Sequence, residues 1–192
     1  KKKKMKELNL LENPNLEDAD LMVDSMKKIK ISGHRGLKKL RLTVSEEKIQ
    51  VENFPNLVNL IFGQRKILKK IRIQDCPCLE QLRVDSCSSL QDIDFFGVNK
   101  LRKIQLFSQY DNGINIKRLD LSGLPDLRSV VVESGDLQEL ILPRSGNLVS
   151  LDLASCPLKK LDLSQTPKLS YLSLGSCDID KLDLTKVPQL EV

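Results

Sequence analysis

A solenoid of short parallel β-strands, with little or no α-helix, is the architecture that this 192-residue sequence predicts. Three observations carry that expectation. An apolar triplet spaced L-x-x-L-x-L returns every 10 to 11 residues along most of the chain. The stretches between triplets are rich in Pro, Gly, Asn, Asp and Ser, the residues of tight bends. The apolar content is aliphatic: hydrophobic residues make up 40% of the chain, Phe, Tyr and Trp together only 4%, and Trp is absent. Narrow stacked layers suit that composition better than one large core built on aromatic rings.

The triplets begin clearly at Leu37, Leu40, Leu42, pass through Leu57, Leu60, Phe62 and Leu68, Ile71, Ile73, and are most regular at Leu148, Leu151, Leu153 and Leu169, Leu172, Leu174. Alternation within L-x-L puts two side chains on one face of a strand, and the preceding x-x lets the first Leu turn inward from a bend. Each half-repeat has room for a strand of about five residues plus a bend, and is too short for a helix of about 11 residues. Strands are therefore expected on one side, with short strands, extended or 3₁₀ segments on the other.

Successive triplets differ, and the difference sets the true repeat at about 21 residues, the spacing of the parallel strands. One kind is followed by an apolar or small residue and then Pro, as at Phe54-Pro55, Cys76-Pro77, Leu124-Pro125, Thr166-Pro167 and Val187-Pro188. The other has Cys three residues after its last apolar position, at Cys87, Cys156 and Cys177. Full turns then begin at Leu16, Leu37, Leu57, Leu79, Leu101, Leu127, Leu148 and Leu169. This divides 1–192 as one solenoid domain: a half turn over 5–15, eight turns over 16–189 and the start of a ninth at 190–192. The weak places are Ala19, in the middle of the first triplet, and Glu46, where an apolar residue should precede Ile49 and Val51. Neither end carries a polar capping segment, so the expectation is a fragment of a longer protein.

The segment from Leu169 to Gln189, LSYLSLGSCDIDKLDLTKVPQ, resembles the short bacterial leucine-rich repeats called the IRREKO class, with their pattern L-x-x-L-x-L-x-x-N/C-x-L-x-x-L-D-L. Leu148 to Lys168 fits equally well, and Leu119 to Leu121 repeats the LDL signature. The resemblance implies a leucine-rich-repeat solenoid from a bacterial protein, used to recognise another macromolecule, and leaves that partner unspecified. It also implies that the ladder position, usually Asn, points inward at the bend. Here that position is Cys87, Cys156 or Cys177, and elsewhere Arg65, Gln109 or Gly135.

Several function classes are disfavoured. No run approaches the roughly 18 apolar residues of a membrane span, and the basic Lys1 to Lys4 is followed by Lys6, Glu7 and Glu12 rather than by an apolar signal core. Five cysteines, an odd number without small-scaffold spacing, favour a reducing compartment, the cytosol of a bacterium or of a host. Cys76 and Cys78 form the one short thiol pair but lack two further ligands nearby, so no metal and no cofactor are expected. His34 is the sole histidine, no nucleotide, zinc-protease or serine-hydrolase motif occurs, and Asp92 and Asp94 sit on a strand without a cleft to raise a pKa. No catalytic residue is assigned.

Specificity in a solenoid is written on the outward x positions. On the first-half strands these include Val131, Val149 and Tyr171 on three successive turns, flanked by Arg128 and Asp152, an apolar centre with a polar rim that reads as the partner-binding face. Second-half strands carry a basic stripe, Lys27, Lys28, Lys30, Lys69, Lys70 and Arg72. Residues 1–73 hold 18 basic and 9 acidic side chains, hence +9; residues 74–192 hold 13 and 17, hence −4. Such a stripe can meet an acidic polymer or an anionic membrane surface, although its ordinary role is a solvated face. The aromatic residues that nucleic-acid platforms interleave with their bases are missing. The turn from Leu101 is 26 residues long; its excess, Phe107 to Asn115, is expected to bulge out as a surface loop that presents Tyr110. The leading expectation is a non-catalytic, monomeric module that binds a protein partner, not nucleic acid. The alternatives are the substrate-recognition domain of a larger enzyme, such as a ubiquitin ligase effector, and a binder of acidic polymers or membranes through the basic N-terminal half.

Overall fold

The computed structural model describes residues 13–23, 30–63, 67–108 and 113–190. One side of the coil is a single eight-stranded sheet: β1 (Asp18–Val23), β3 (Lys39–Val44), β5 (Asn59–Phe62), β7 (Gln81–Asp85), β9 (Lys103–Phe107), β11 (Ser129–Glu133), β13 (Ser150–Ala154) and β14 (Tyr171–Gly175). The other side carries β2 (Lys30–Ser32), β4 (Lys48–Glu52), β6 (Lys70–Gln74) and β8 (Asp92–Phe96) as one sheet, and β10 (Arg118–Asp120) with β12 (Glu139–Ile141) as another. Every strand pairing is parallel, and no α-helix occurs among the described residues. Strands of the long sheet start 20 to 26 residues apart. The fold is a parallel β-solenoid.

Register shows why the triplets make this shape. Leu40, Leu60, Leu82, Ile104, Val130, Leu151 and Leu172 face one another in successive strands, as do Leu42, Phe62, Val84, Leu106, Val132, Leu153 and Leu174. Each inward side chain is sandwiched between those of its neighbours. A layer gains its apolar burial only when the next layer is present, so cohesion is between turns rather than within them. Burial is complete from Leu40 to Leu153, while Leu172 and Leu174 are half-buried on the last described strand. The weak places accommodate themselves: Ala19 is 6% exposed opposite Leu40, and Ile49 and Val51 are buried without help from Glu46.

Bends fix the coil. β2, β4, β6 and β8 are each followed by a left-handed residue: Gly33, Asn53, Asp75 and Gly97, with φ of 82°, 60°, 52° and 66°. Asn and Asp tolerate this region by local hydrogen bonding and Gly has no Cβ to clash, which suits these types to the column. The residue before each bend Pro then drops into the core: Phe54, Cys76, Leu124, Thr166 and Val187 are at most 3% exposed. Thr166 satisfies its hydroxyl by donating to the Leu163 carbonyl at 2.9 Å.

The second side varies along the coil, and one sequence expectation changes. The second side loses strand character after Ile141, and its Leu161 to Leu163 and Leu182 to Leu184 run as irregular chain. In β10 and in these two irregular stretches Asp120, Asp162 and Asp183 do the bending, each accepting the backbone N–H two residues on, from Ser122, Ser164 and Thr185, at 2.9 to 3.0 Å. That is the physical content of the LDL signature. The extra segment of the long turn is also not all surface loop. Gly113 and Ile114 are buried, Gly113 bridges Ser134, Ile114 donates to the Glu133 carbonyl at 3.2 Å, and the Ser134 hydroxyl donates to the carbonyls of Ile114 and Ile116. The approach to β10 is thereby tied to the following circuit.

Candidate partner-binding face

Outward residues of the long sheet fall into columns. One runs Asp18, Lys39, Asn59, Gln81, Lys103, Ser129, Ser150, Tyr171; the next runs Asp20, Arg41, Ile61, Arg83, Gln105, Val131, Asp152, Ser173. Their chemistry changes along the coil. In the first strands the charges are paired: Lys38 with Glu17 at 2.8 Å, Lys39 with Asp18 at 3.1 Å, Arg102 with Glu80 at 3.4 Å. Arg83 is held by Asp85 at 2.8 Å and lies 4.6 Å from the Phe107 ring centroid, a cation–π contact. From β11 to β14 the columns hold Ser129, Ser150 and Tyr171 beside Val131, Asp152 and Ser173, and neither Arg128 nor Asp152 has an ion-pair partner among the described residues.

The predicted site residues do not all meet. Val149 and Tyr171 are immediate neighbours: the Tyr171 N–H donates to the Val149 carbonyl at 3.1 Å, and the side chains are 40% and 52% exposed. Arg128 is next to Val149, its carbonyl accepting the Val149 N–H at 2.8 Å. Val131 stands apart. It is half-buried, lies directly opposite Asp152, and is separated from Tyr171 by the strand that carries Ser150 and Asp152. Tyr110 lies outside the described residues, as do Lys27 and Lys28; Lys30 opens β2.

The described cations of the basic stripe, Lys69, Lys70 and Arg72, are neutralised from within. Lys69 pairs with Glu47 at 2.8 Å, Arg72 with Asp94 at 3.1 Å, and Lys70 bridges Asp92 and Asp94. Register produces this, because Lys70 and Arg72 of β6 stand opposite Asp92 and Asp94 of β8. The hydrogen bond that Lys70 donates holds the Asp94 carboxyl below its ordinary value, and those that it donates to Asp92 and Asp94 raise the Lys70 ammonium above its own. The carboxylates that sequence reading set aside are thus the partners of the lysines it singled out. Opposite signs at outward positions 22 residues apart were the signal.

Cysteines line the bends. Cys76, Cys87 and Cys156 are fully buried, and their thiols donate to backbone carbonyls of Gln74, Asp85 and Ala154 at 3.4 to 3.6 Å. Burial pushes the Cys76 thiol up to about 11 and that of Cys156 up to about 12. Sequence counting put Gly135 at this ladder position in the turn from Leu127; the bond to the loop is made instead by Ser134, one residue earlier. No group of three or more His, Cys, Asp or Glu arranged to hold a metal occurs among the described residues, and no described helix is long and apolar enough to cross a membrane.

No protein-family profile matches the chain, and no curated protein does. Among solved structures it is similar to the functional domain of InlJ from Listeria monocytogenes, which includes a cysteine ladder: 15% identity and a TM-score of 0.32 over 97% of this chain and 59% of that one. It is also similar to TLR13, solved in complex with ssRNA13: 13% identity and a TM-score of 0.30 over 93% of this chain and 43% of that one. The chain therefore spans less than two thirds of either.

Proposed function

We propose that this chain is a non-catalytic recognition module that binds a protein partner through the outward positions of β11, β13 and β14. The observation that carries the reading is the contrast in charge pairing. The described cations of the opposite stripe, Lys69, Lys70 and Arg72, are spent on neighbouring carboxylates, whereas Arg128 and Asp152 flank the exposed Val149 and Tyr171 without ion-pair partners among the described residues. An acidic polymer or membrane would have to displace Glu47, Asp92 and Asp94 first. A protein partner meets ready-made contacts: Tyr171 offers large rigid area at low entropic cost, Val149 packs beside it, and Arg128 and Asp152 supply directional rim contacts. Val131 extends the surface across Asp152. Tyr110 is assigned to the same surface on sequence grounds alone. The solenoid is further assigned to the short bacterial repeat class.

The test begins with a partner captured by the wild-type chain and identified, then titrated against variants. Tyr171→Ala and Val149→Asp are each expected to weaken binding by ~2 kcal/mol, a loss typical of interface anchors. Lys69→Glu and Lys70→Glu should leave it nearly unchanged. If the lysine reversals abolish binding while the Tyr171 and Val149 variants retain it, the functional face is the basic one.

A further inference from the structure

We infer that the protein bound by the long sheet presents acidic side chains beside an apolar one, the acidic groups meeting Lys103 and Arg128 and the apolar group meeting Val149 and Tyr171; this rests on the reading of β11, β13 and β14 as the binding face. Cations on the long sheet otherwise follow a rule. Lys38, Lys39, Arg41 and Arg102 each pair with a carboxylate one turn earlier, Glu17, Asp18, Asp20 and Glu80, at 2.8 to 3.7 Å, and Arg83 pairs with Asp85 on its own strand. Register supplies the partner, because equivalent side chains on adjacent strands stand about 4.8 Å apart. Lys103 and Arg128 break the rule. Lys103 stands between Gln81 and Ser129. The Arg128 N–H donates to the Arg102 carbonyl and the Arg128 carbonyl accepts from Val149, so its neighbours on either side are a cation and an apolar side chain. Neither Lys103 nor Arg128 has an ion-pair partner among the described residues. Ser129, opposite Lys103, follows Arg128 in the chain, so the two unanswered charges lie on adjacent strands, one position apart.

The charges left over define the occupant. Arg102, Lys103 and Arg128 are neighbours, and Glu80 is the one carboxylate bound among them. Positive potential is therefore concentrated where β9 meets β11, and a carboxylate arriving there makes the contact that register makes elsewhere on this sheet. Next to it, on the following turns, lie the exposed Val149 and Tyr171. The complementary surface is an acidic group adjoining an apolar one. A protein separates these two kinds of side chain and can place them to match. A nucleic acid cannot do so. Its phosphates repeat along the strand and affinity grows with the number neutralised, whereas Asp152, opposite Val131, and Glu133, at the end of β11, put carboxylates on the same strands without ion-pair partners among the described residues.

Two end-blocked peptides, Glu-Glu-Leu-Phe-Leu and Lys-Lys-Leu-Phe-Leu, are the probes, and the shift of backbone amide signals on titration at low salt is the readout. The acidic peptide should move the amides of Lys103, Arg128 and Tyr171 and bind about fivefold more tightly than the basic one, the upper range of an exposed ion pair. Lys103→Glu and Arg128→Glu should each remove that preference, whereas Lys69→Glu and Lys70→Glu, on the other side of the coil, should keep it. Both positions are on the solvated face, and unchanged amide signals elsewhere verify that the variants fold. In about 1 M salt, where the screening length is about 3 Å, the preference should vanish in the wild-type chain as well. The inference is overturned if the two peptides bind alike, if neither moves these amides at millimolar concentration, or if the preference survives both reversals. It is equally overturned if a single-stranded oligouridylate displaces the acidic peptide and binds more tightly, since the occupant is then nucleic acid. The reading of the face itself fails separately, when Tyr171→Ala and Val149→Asp leave the captured partner bound.

Discussion

Leu151 and Leu172 occupy the same column, one strand apart, and differ in what lies on each side. Leu151 is fully buried between Val130 and Leu172, whereas Leu172 is half-buried. Leu151→Ala removes a close-packed side chain and leaves a cavity, which costs ~2 to 5 kcal/mol. Leu172→Ala should cost clearly less, and chemical denaturation of both variants checks the order; equal costs would contradict the register. The thiols give a second residue-scale expectation. A thiolate is the reactive form, and burial holds Cys76 and Cys156 as thiols far above neutral pH. Native protein at neutral pH should therefore expose Cys78 and Cys177, both half-buried, to a thiol reagent while Cys76, Cys87 and Cys156 stay unmodified until it unfolds. Peptide mapping after timed alkylation distinguishes this pattern from uniform labelling.

At the scale of elements, the columns of the long sheet were legible in the sequence, because L-x-x-L-x-L fixes both which side chains turn inward and how far apart the strands begin. Even Ala19 keeps its place, since the register is set by its neighbours. The broken second sheet was not legible. Whether β10 pairs with β8 depends on where the extra residues of the long turn are fastened, and that is decided by the Ser134 hydroxyl and two carbonyls of a segment about 20 residues earlier in the chain. Nothing in the local sequence of Ser134 distinguishes it from the other bend serines. The face was legible in part: Val149 and Tyr171 do adjoin, but the distance of Val131 and the pairing of Lys70 with Asp92 and Asp94 both require register between turns. Removing the Ser134 hydroxyl tests the tether itself. Ser134→Ala strands two carbonyls near a fully buried position and should cost ~1 to 3 kcal/mol, with amide exchange rising at Ile114 and Ile116. A loss confined to tenths of a kcal/mol, with both amides unchanged, would show that the segment is held by other means.

On the scale of the whole molecule, one side of the coil is continuous and the other is interrupted, and both binding proposals rest on the continuous one. The extra residues between β9 and β10 leave β9 and β11 paired from Lys103 to Leu106, so the long sheet continues across the irregular turn and can present one uninterrupted face. The same residues cut the other side in two. Inward residues of each strand turn their amides toward the next circuit, which makes the difference measurable at single N–H groups. Residue-resolved hydrogen exchange of the wild-type chain, without any ligand, tests the claim most directly. Ile104 and Leu106, whose amides face β11, should exchange slowly, as should Ile71 and Ile73, whose amides face β8. Ile93 and Phe95, whose amides face β10, should exchange faster by at least about tenfold. Slow exchange at Ile93 and Phe95 equal to that at Ile71 and Ile73 would show a second side closed across β8 and β10, and fast exchange at Ile104 and Leu106 would show a long sheet broken at the irregular turn; either result contradicts the account.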